Sequence, residues 1–171
     1  MLNNEAKYYI YLVIFIFTFV FPVAFIPFFI YWKKISGIQM HDKKERQYPL
    51  AVGILFFGIC NYLFAELPIP KIISSFIFAA LITLIADFIL NNFIKISLHM
   101  SGIAGVLAMV IFVSMQYNVN LIVFIIIVVF ISGILGTARL LLNAHNIGEI
   151  SAGFLTGFFI SYLSMFIYMF I

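Results

Sequence analysis

The chain has 171 residues, 65% apolar and only 9% charged, with a net charge of +3. Soluble domains run at about 45–50% apolar and about 25% charged, so nine basic and six acidic side chains are too few to cover a water-facing surface of this size. Disorder and coiled coils need polarity that is missing, a disulfide scaffold needs more than the lone Cys60, and the unbroken apolar runs lack the alternation of a spanning barrel.

What remains is an all-α integral membrane bundle. A spanning helix needs about 20 mostly apolar residues, and six segments qualify: 8–32, 49–66, 71–90, 97–115, 120–138 and 147–171. The first has a longer apolar run than a signal peptide and no small-residue cleavage site behind it. Lys33 and Lys34 follow instead, as an interfacial stop. Pro22 and Pro27 predict a kink in this span, because each removes a helix donor. Asn91 and Asn92 are expected to end the third span. So little chain is left between spans that residues 1–171 read as one transmembrane domain.

Six spans place the connections 33–48, 91–96 and 139–146 on one face, and both termini with 67–70 and 116–119 on the other. The first face holds Lys33, Lys34, Lys43, Lys44, Arg46, Lys95 and Arg139; the second holds Lys7 and Lys71. The positive-inside rule puts the first face in the cytoplasm. The four lysines of the first connection read most simply as anchors against anionic headgroups. Arg46 reads equally as an anchor or as an anion ligand. Tyr8, Tyr9, Trp32 and Tyr48 fit an interfacial belt.

In so apolar a chain the polar residues near membrane depth carry the information, and they converge on that face. The tightest group is Thr137-Ala-Arg139-x5-His145-x3-Glu149. Four residues apart at the start of a helix, His145 and Glu149 share a face. A carboxylate there takes one imidazole N–H and leaves the other nitrogen as a nucleophile or base. Arg139 offers a planar fork for phosphate or carboxylate. Gly153 and Gly157, at further steps of four, let the last helix approach a neighbour closely. A second group, Lys95-x-Ser97-x-His99, sits where unpaired backbone N–H groups open a helix, a ready anion site. A third, Asp42-x3-Arg46-x2-Pro49, precedes the second span. His41 reads as a solvated loop residue. No His or Cys pair has chelating spacing.

These residues resemble the integral-membrane type 2 phosphatidic acid phosphatase superfamily. Its members have six spans and three signatures: Lys-x6-Arg-Pro, Pro-Ser-Gly-His and Ser-Arg-x5-His-x3-Asp. Arg139, His145 and Glu149 keep the third spacing, with Glu in place of Asp. Ile96-Ser97-Leu98-His99 keeps the Ser and His of the second. Arg46 keeps the Arg of the first, with Gln39 and Gln47 at its Lys and Pro positions. The resemblance implies an enzyme of lipid metabolism: a metal-independent phosphatase without cofactor, acting on a lipid phosphate or diphosphate. Phosphatidate, phosphatidylglycerophosphate, an isoprenyl diphosphate or a lipid A phosphate would fit. It implies His145 as the nucleophile that becomes phosphohistidine, Glu149 as its orienting carboxylate, and His99 as the acid and later the base. Arg139, Arg46, Lys95 and Ser97 would bind phosphate, and Asp87 would stand behind Arg139 or Lys95, or else simply pack. The expected location is a bacterial inner membrane. Membrane lipids are the expected partners, with no role for nucleic acid. Relatives often work on the extracytoplasmic face, against the charge bias here.

Two other functions compete. A non-catalytic phospholipid-binding or assembly protein would keep the scaffold and the anion pocket without turnover. A small transporter would need a polar path through the bundle, for which Asp87 and Thr83 are the candidates, although transport sites lie near mid-membrane.

Overall fold

A computed structural model describes residues 4–37, 40 and 42–171, so Gln39 and His41 lie outside the described residues. Among the described residues, six helices are long and apolar enough to cross a membrane: α1 (Lys7–Tyr31), α2 (Gln47–Glu66), α3 (Lys71–Leu90), α4 (Leu98–Tyr117), α5 (Ile122–Leu141) and α6 (Ile147–Phe170). Helix is the form expected here, because it satisfies every backbone N–H and C=O within the segment where no water can.

The prolines of α1 act as their chemistry requires. A wide π turn over Ile16–Val20 precedes Pro22, and Thr18 Oγ1 donates back to the Ile14 carbonyl at 2.7 Å. The helix breaks again at Phe25, whose N–H reaches only the carbonyls of Pro22 and Val23, and it resumes over Ile26–Tyr31 with Pro27 in its first turn. Pro49 is accommodated differently. It sits in the first turn of α2, where an N–H would have no partner within the helix, so the helix starts two residues ahead of it at Gln47. Asn118 (φ 51°) closes α4 in the left-handed region, and Asn143 (φ 50°) turns the chain after α5.

Helix α6 is the centre of the bundle and lies against both α4 and α3; α2 covers α3, α1 covers α2, and α5 packs on α4. The closest approach is α6 on α4, and glycine permits it. A Cβ on Gly153 would stand 2.5 Å from the Ser97 carbonyl oxygen, and one on Gly157 would overlap the backbone of Ser101. Elsewhere the joints are apolar. Ile10, Cys60, Phe64 and Ile77 join α1, α2 and α3, whereas Ala79, Phe112 and Met165 join α3, α4 and α6. Phe17, Phe21 and Phe25, one helical turn apart, all meet Phe56 of α2 at ring separations of 6.3, 5.0 and 5.6 Å. The outer faces of α1 and α5 remain apolar and exposed, as with Phe15, Phe19, Phe124, Ile126 and Phe130. Such a surface suits lipid and not water.

Candidate functional site

Three connections meet at one end of the bundle: the described residues of 32–46 before α2 (32–37, 40 and 42–46), 91–97 between α3 and α4, and 142–146 between α5 and α6. They enclose a cavity of about 500 Å³ lined on its polar side by Arg46, Lys95, His99, Arg139 and His145. Ile26, Pro49, Leu98 and Leu142 form its apolar wall. No acidic side chain lines it among the described residues, so the hollow is built to attract an anion.

At its base His145 and Arg46 are each only 8% exposed. Glu149 Oε2 accepts from His145 Nδ1 at 2.7 Å, while Arg46 Nη1 stands 3.2 Å from His145 Nε2. A guanidinium has only donors, so Nε2 is the acceptor and the ring proton sits on Nδ1, donated to Glu149. The carboxylate is itself held by the helix start. Asn146 Oδ1 accepts from the Glu149 N–H (2.9 Å), and Glu149 Oε2 accepts from the Asn146 N–H (3.3 Å). This capping box satisfies two orphan donors of α6 and aims the acid at His145. Burial pushes the His145 imidazole below its usual range. The charges of Arg46 and Lys95 act in the same direction, and the bond to Glu149 opposes them. With Arg46 donating to Nε2, the ring carries its one proton on Nδ1.

Arg46 is no surface anchor. Its Nε donates to the Met40 carbonyl and its Nη1 to the Ile96 carbonyl, each at 3.2 Å, so the guanidinium ties two connections to His145. Met40 presents that carbonyl from the left-handed region (φ 44°), a conformation that non-glycine residues seldom adopt. Burial lowers the Arg46 pKa, partly offset by Glu149, but a guanidinium stays charged through such shifts. Asp42 does not pair with Arg46; its carboxylate accepts from the Lys44 N–H at 2.9 Å. Lys43 also does more than anchor, because its Nζ donates to the Asn92 carbonyl at 2.8 Å.

Of the expected residues, the structure brings His145, His99, Glu149, Arg46, Arg139 and Lys95 to one end of the bundle, with Glu149 behind His145. Two residues stand elsewhere. Ser97 is not part of the lining: its N–H donates to the Glu149 carbonyl at 3.2 Å, and its side chain is fully buried. Asp87 forms no ion pair with Arg139 or Lys95 among the described residues. It is buried in α3 beside Ser101. Asn91 ends α3 as expected, and its side chain also donates to the Lys43 carbonyl at 2.6 Å. Three contributors had no part in the motif reading: the carbonyls of Met40 and Ile96, which carry no side-chain signal, and Asn146, whose spacing to Glu149 is a recognisable capping pattern.

Compared with protein-family models, with curated proteins and with solved structures, the chain matches none of them.

Proposed function

We propose that the chain is a membrane lipid phosphatase that hydrolyses a lipid phosphomonoester or diphosphate through a phosphohistidine, as a divergent relative of the type 2 phosphatidic acid phosphatases. The observation that carries this reading is the run Glu149–His145–Arg46 at the base of a cationic cavity with an apolar wall. It supplies an oriented, neutral imidazole, a carboxylate to stabilise the imidazolium that forms, and a charged fork beside the reacting nitrogen.

A phosphate entering the cavity competes for Arg46 Nη1 and frees the Nε2 lone pair. Nε2 then attacks phosphorus, the N–P bond forms, and the bond to the leaving oxygen breaks. His99, protonated, gives its proton to that oxygen. Arg46, Arg139 and Lys95 hold the equatorial oxygens, whose charge is the main thing such a site must stabilise. Water, losing its proton to His99, attacks the phosphohistidine, and inorganic phosphate leaves with Nε2 restored. The acyl or isoprenyl tail stays in the bilayer along the wall of Ile26 and Leu98.

A specific feature favours a second reading. Arg46 already occupies the lone pair of His145, an arrangement that also suits a phospholipid-binding protein without turnover. Phosphate release from lipid phosphates in detergent or nanodiscs, with headgroup binding measured in parallel, separates the two. Release that disappears in His145→Ala supports the phosphatase; binding without release supports the binder. The cytoplasmic placement of the cavity is part of the proposal and rests on the bias of basic residues, four against two once Arg46, Lys95 and Arg139 are kept for phosphate. Cysteine-accessibility labelling at Lys95 and Lys71 tests it.

A further inference from the structure

Below the cavity lies a group of side chains that the chemistry above does not use. Asp87 and Asn91 occupy successive turns of one face of α3. Ser97 and Ser101 do the same at the start of α4. Asp87 and Ser101 stand seven residues either side of Ile94, and Asn91 and Ser97 three residues either side, so both pairs flank the turn of the α3–α4 hairpin symmetrically. Asp87 is 2% exposed and the other three are 0% exposed. The Ser101 hydroxyl is close enough to the Asp87 carboxyl to interact with it, but no hydrogen bond of good geometry reaches Asp87 Oδ1, Asn91 Oδ1, Ser97 Oγ or Ser101 Oγ among the described residues.

Buried polar groups are almost always satisfied, and a buried carboxylate without a counter-charge is the most costly exception. The nearby cations are engaged elsewhere. Arg46 donates to Met40, Ile96 and His145, and Lys43 to the carbonyls of Asn92 and Phe93. The Asn91 amide nitrogen is held by the Lys43 carbonyl at 2.6 Å, which fixes its oxygen as the free end. The C-terminus of α3 and the N-terminus of α4 meet here, so their end dipoles oppose. Helix α6 lies against the start of α4, with Gly153 against Ser97 and Gly157 against Ser101.

We propose that Asp87, Asn91, Ser97 and Ser101 bind one alkali-metal cation, for which sodium is the first candidate. The donor set is all oxygen, the preference of hard cations, with no nitrogen or sulfur to recruit a transition metal. A single carboxylate matches a single positive charge. The bound ion satisfies four orphan oxygens at once and pins α3 to α4 next to the Ser97–Glu149 bond. The site stands whether or not the cavity above it is catalytic.

The test is thermal unfolding of the purified full-length chain in detergent micelles, in sodium, potassium, lithium and choline chlorides at constant ionic strength. Sodium well above its Kd should raise the unfolding temperature over choline by about 5–10 °C, saturably, as a ligand specific to the folded state does. Asp87→Asn should abolish the difference, and Ser101→Ala should weaken the apparent affinity by about 10-fold, a loss of one ligand. Equilibrium dialysis with radioactive sodium should count one ion per chain, and it decides the matter through Ser101→Ala if Asp87→Asn does not fold. Specific stabilisation by another alkali ion would support the site and rename its occupant. Equal unfolding temperatures in all four salts, or a sodium response unchanged in both variants, would overturn the proposal in favour of a protonated or merely hydrated Asp87.

Discussion

Two polar clusters share one end of this bundle and are built on opposite plans. In the cavity, each member of the run Glu149–His145–Arg46 has a partner, and the group opens onto a hollow that a ligand can enter. Beneath it, Asp87, Asn91, Ser97 and Ser101 are closed off, and each keeps a side-chain oxygen without a hydrogen-bond partner among the described residues. The first is held in place in advance, so that an incoming anion has only to draw Arg46 Nη1 from His145 Nε2. The second has the oxygens of a binding site without enough donors or counter-charge of its own. Ser97 joins them: its hydroxyl belongs to the lower cluster and its N–H to the carbonyl of Glu149.

The contrast can be broken most severely at His145. If the upper cluster is catalytic, His145→Ala lowers phosphate release by more than about 10³-fold, the scale of losing a nucleophile. Size-exclusion and circular dichroism profiles should be unchanged; loss of folding would instead mark His145 as a strut. Arg46→Lys keeps the charge but loses the fork, and the expected loss is about 10²-fold in kcat. A rise in KM alone would make Arg46 a binding group only. The wedge between the clusters is tested at Gly157. Gly157→Ala drives a methyl into the backbone of Ser101 and should destabilise the bundle by about 1–3 kcal/mol. Gly133→Ala, with open space around it, should leave the unfolding temperature unchanged or slightly raised.

The smallest effect is the most diagnostic for the run itself. Activity needs neutral His145, whose pKa burial lowers. The acid limb of the pH–rate profile should therefore lie below the usual histidine value of about 6.5. Glu149 raises that pKa, so Glu149→Gln should reduce kcat by about 10-fold and move the limb to still lower pH. A limb that moves upward would disprove the pairing. The stability sign is consistent: below pH ~6.5 the unfolded histidine binds a proton that the folded one does not, so stability falls as the pH drops towards the folded pKa.

Much of this architecture was legible in the sequence, for a physical reason. Apolar runs of about 20 residues have one way to cross a bilayer, so the six spans were found to within about three residues at each end. The misses follow local chemistry. Helix α2 starts before Pro49 because a first turn needs no N–H there, and the π turn ahead of Pro22 has no composition of its own. At the site, Arg139-x5-His145-x3-Glu149 is readable because its members are close in sequence and lie in or beside the single short connection between α5 and α6. The bond between Arg46 and His145 was not, since the two are 99 residues apart and only the fold joins them. Spacing puts Ser97 at the correct end of the bundle but not behind the cavity, and it leaves Asp87 open between a partner of Arg139 or Lys95 and a packing group. Spacing reveals depth, whereas facing depends on the neighbour, here α6 with its glycines.

The most direct test of the central claim is phosphate release by the purified chain from a panel of lipid phosphates and diphosphates, with and without EDTA, beside His145→Ala. Histidine catalysis predicts release that EDTA does not touch and the variant lacks, with an acid-labile phosphoryl group trapped on His145. Release that EDTA abolishes, or folded protein that binds the lipids and turns none over, would contradict it.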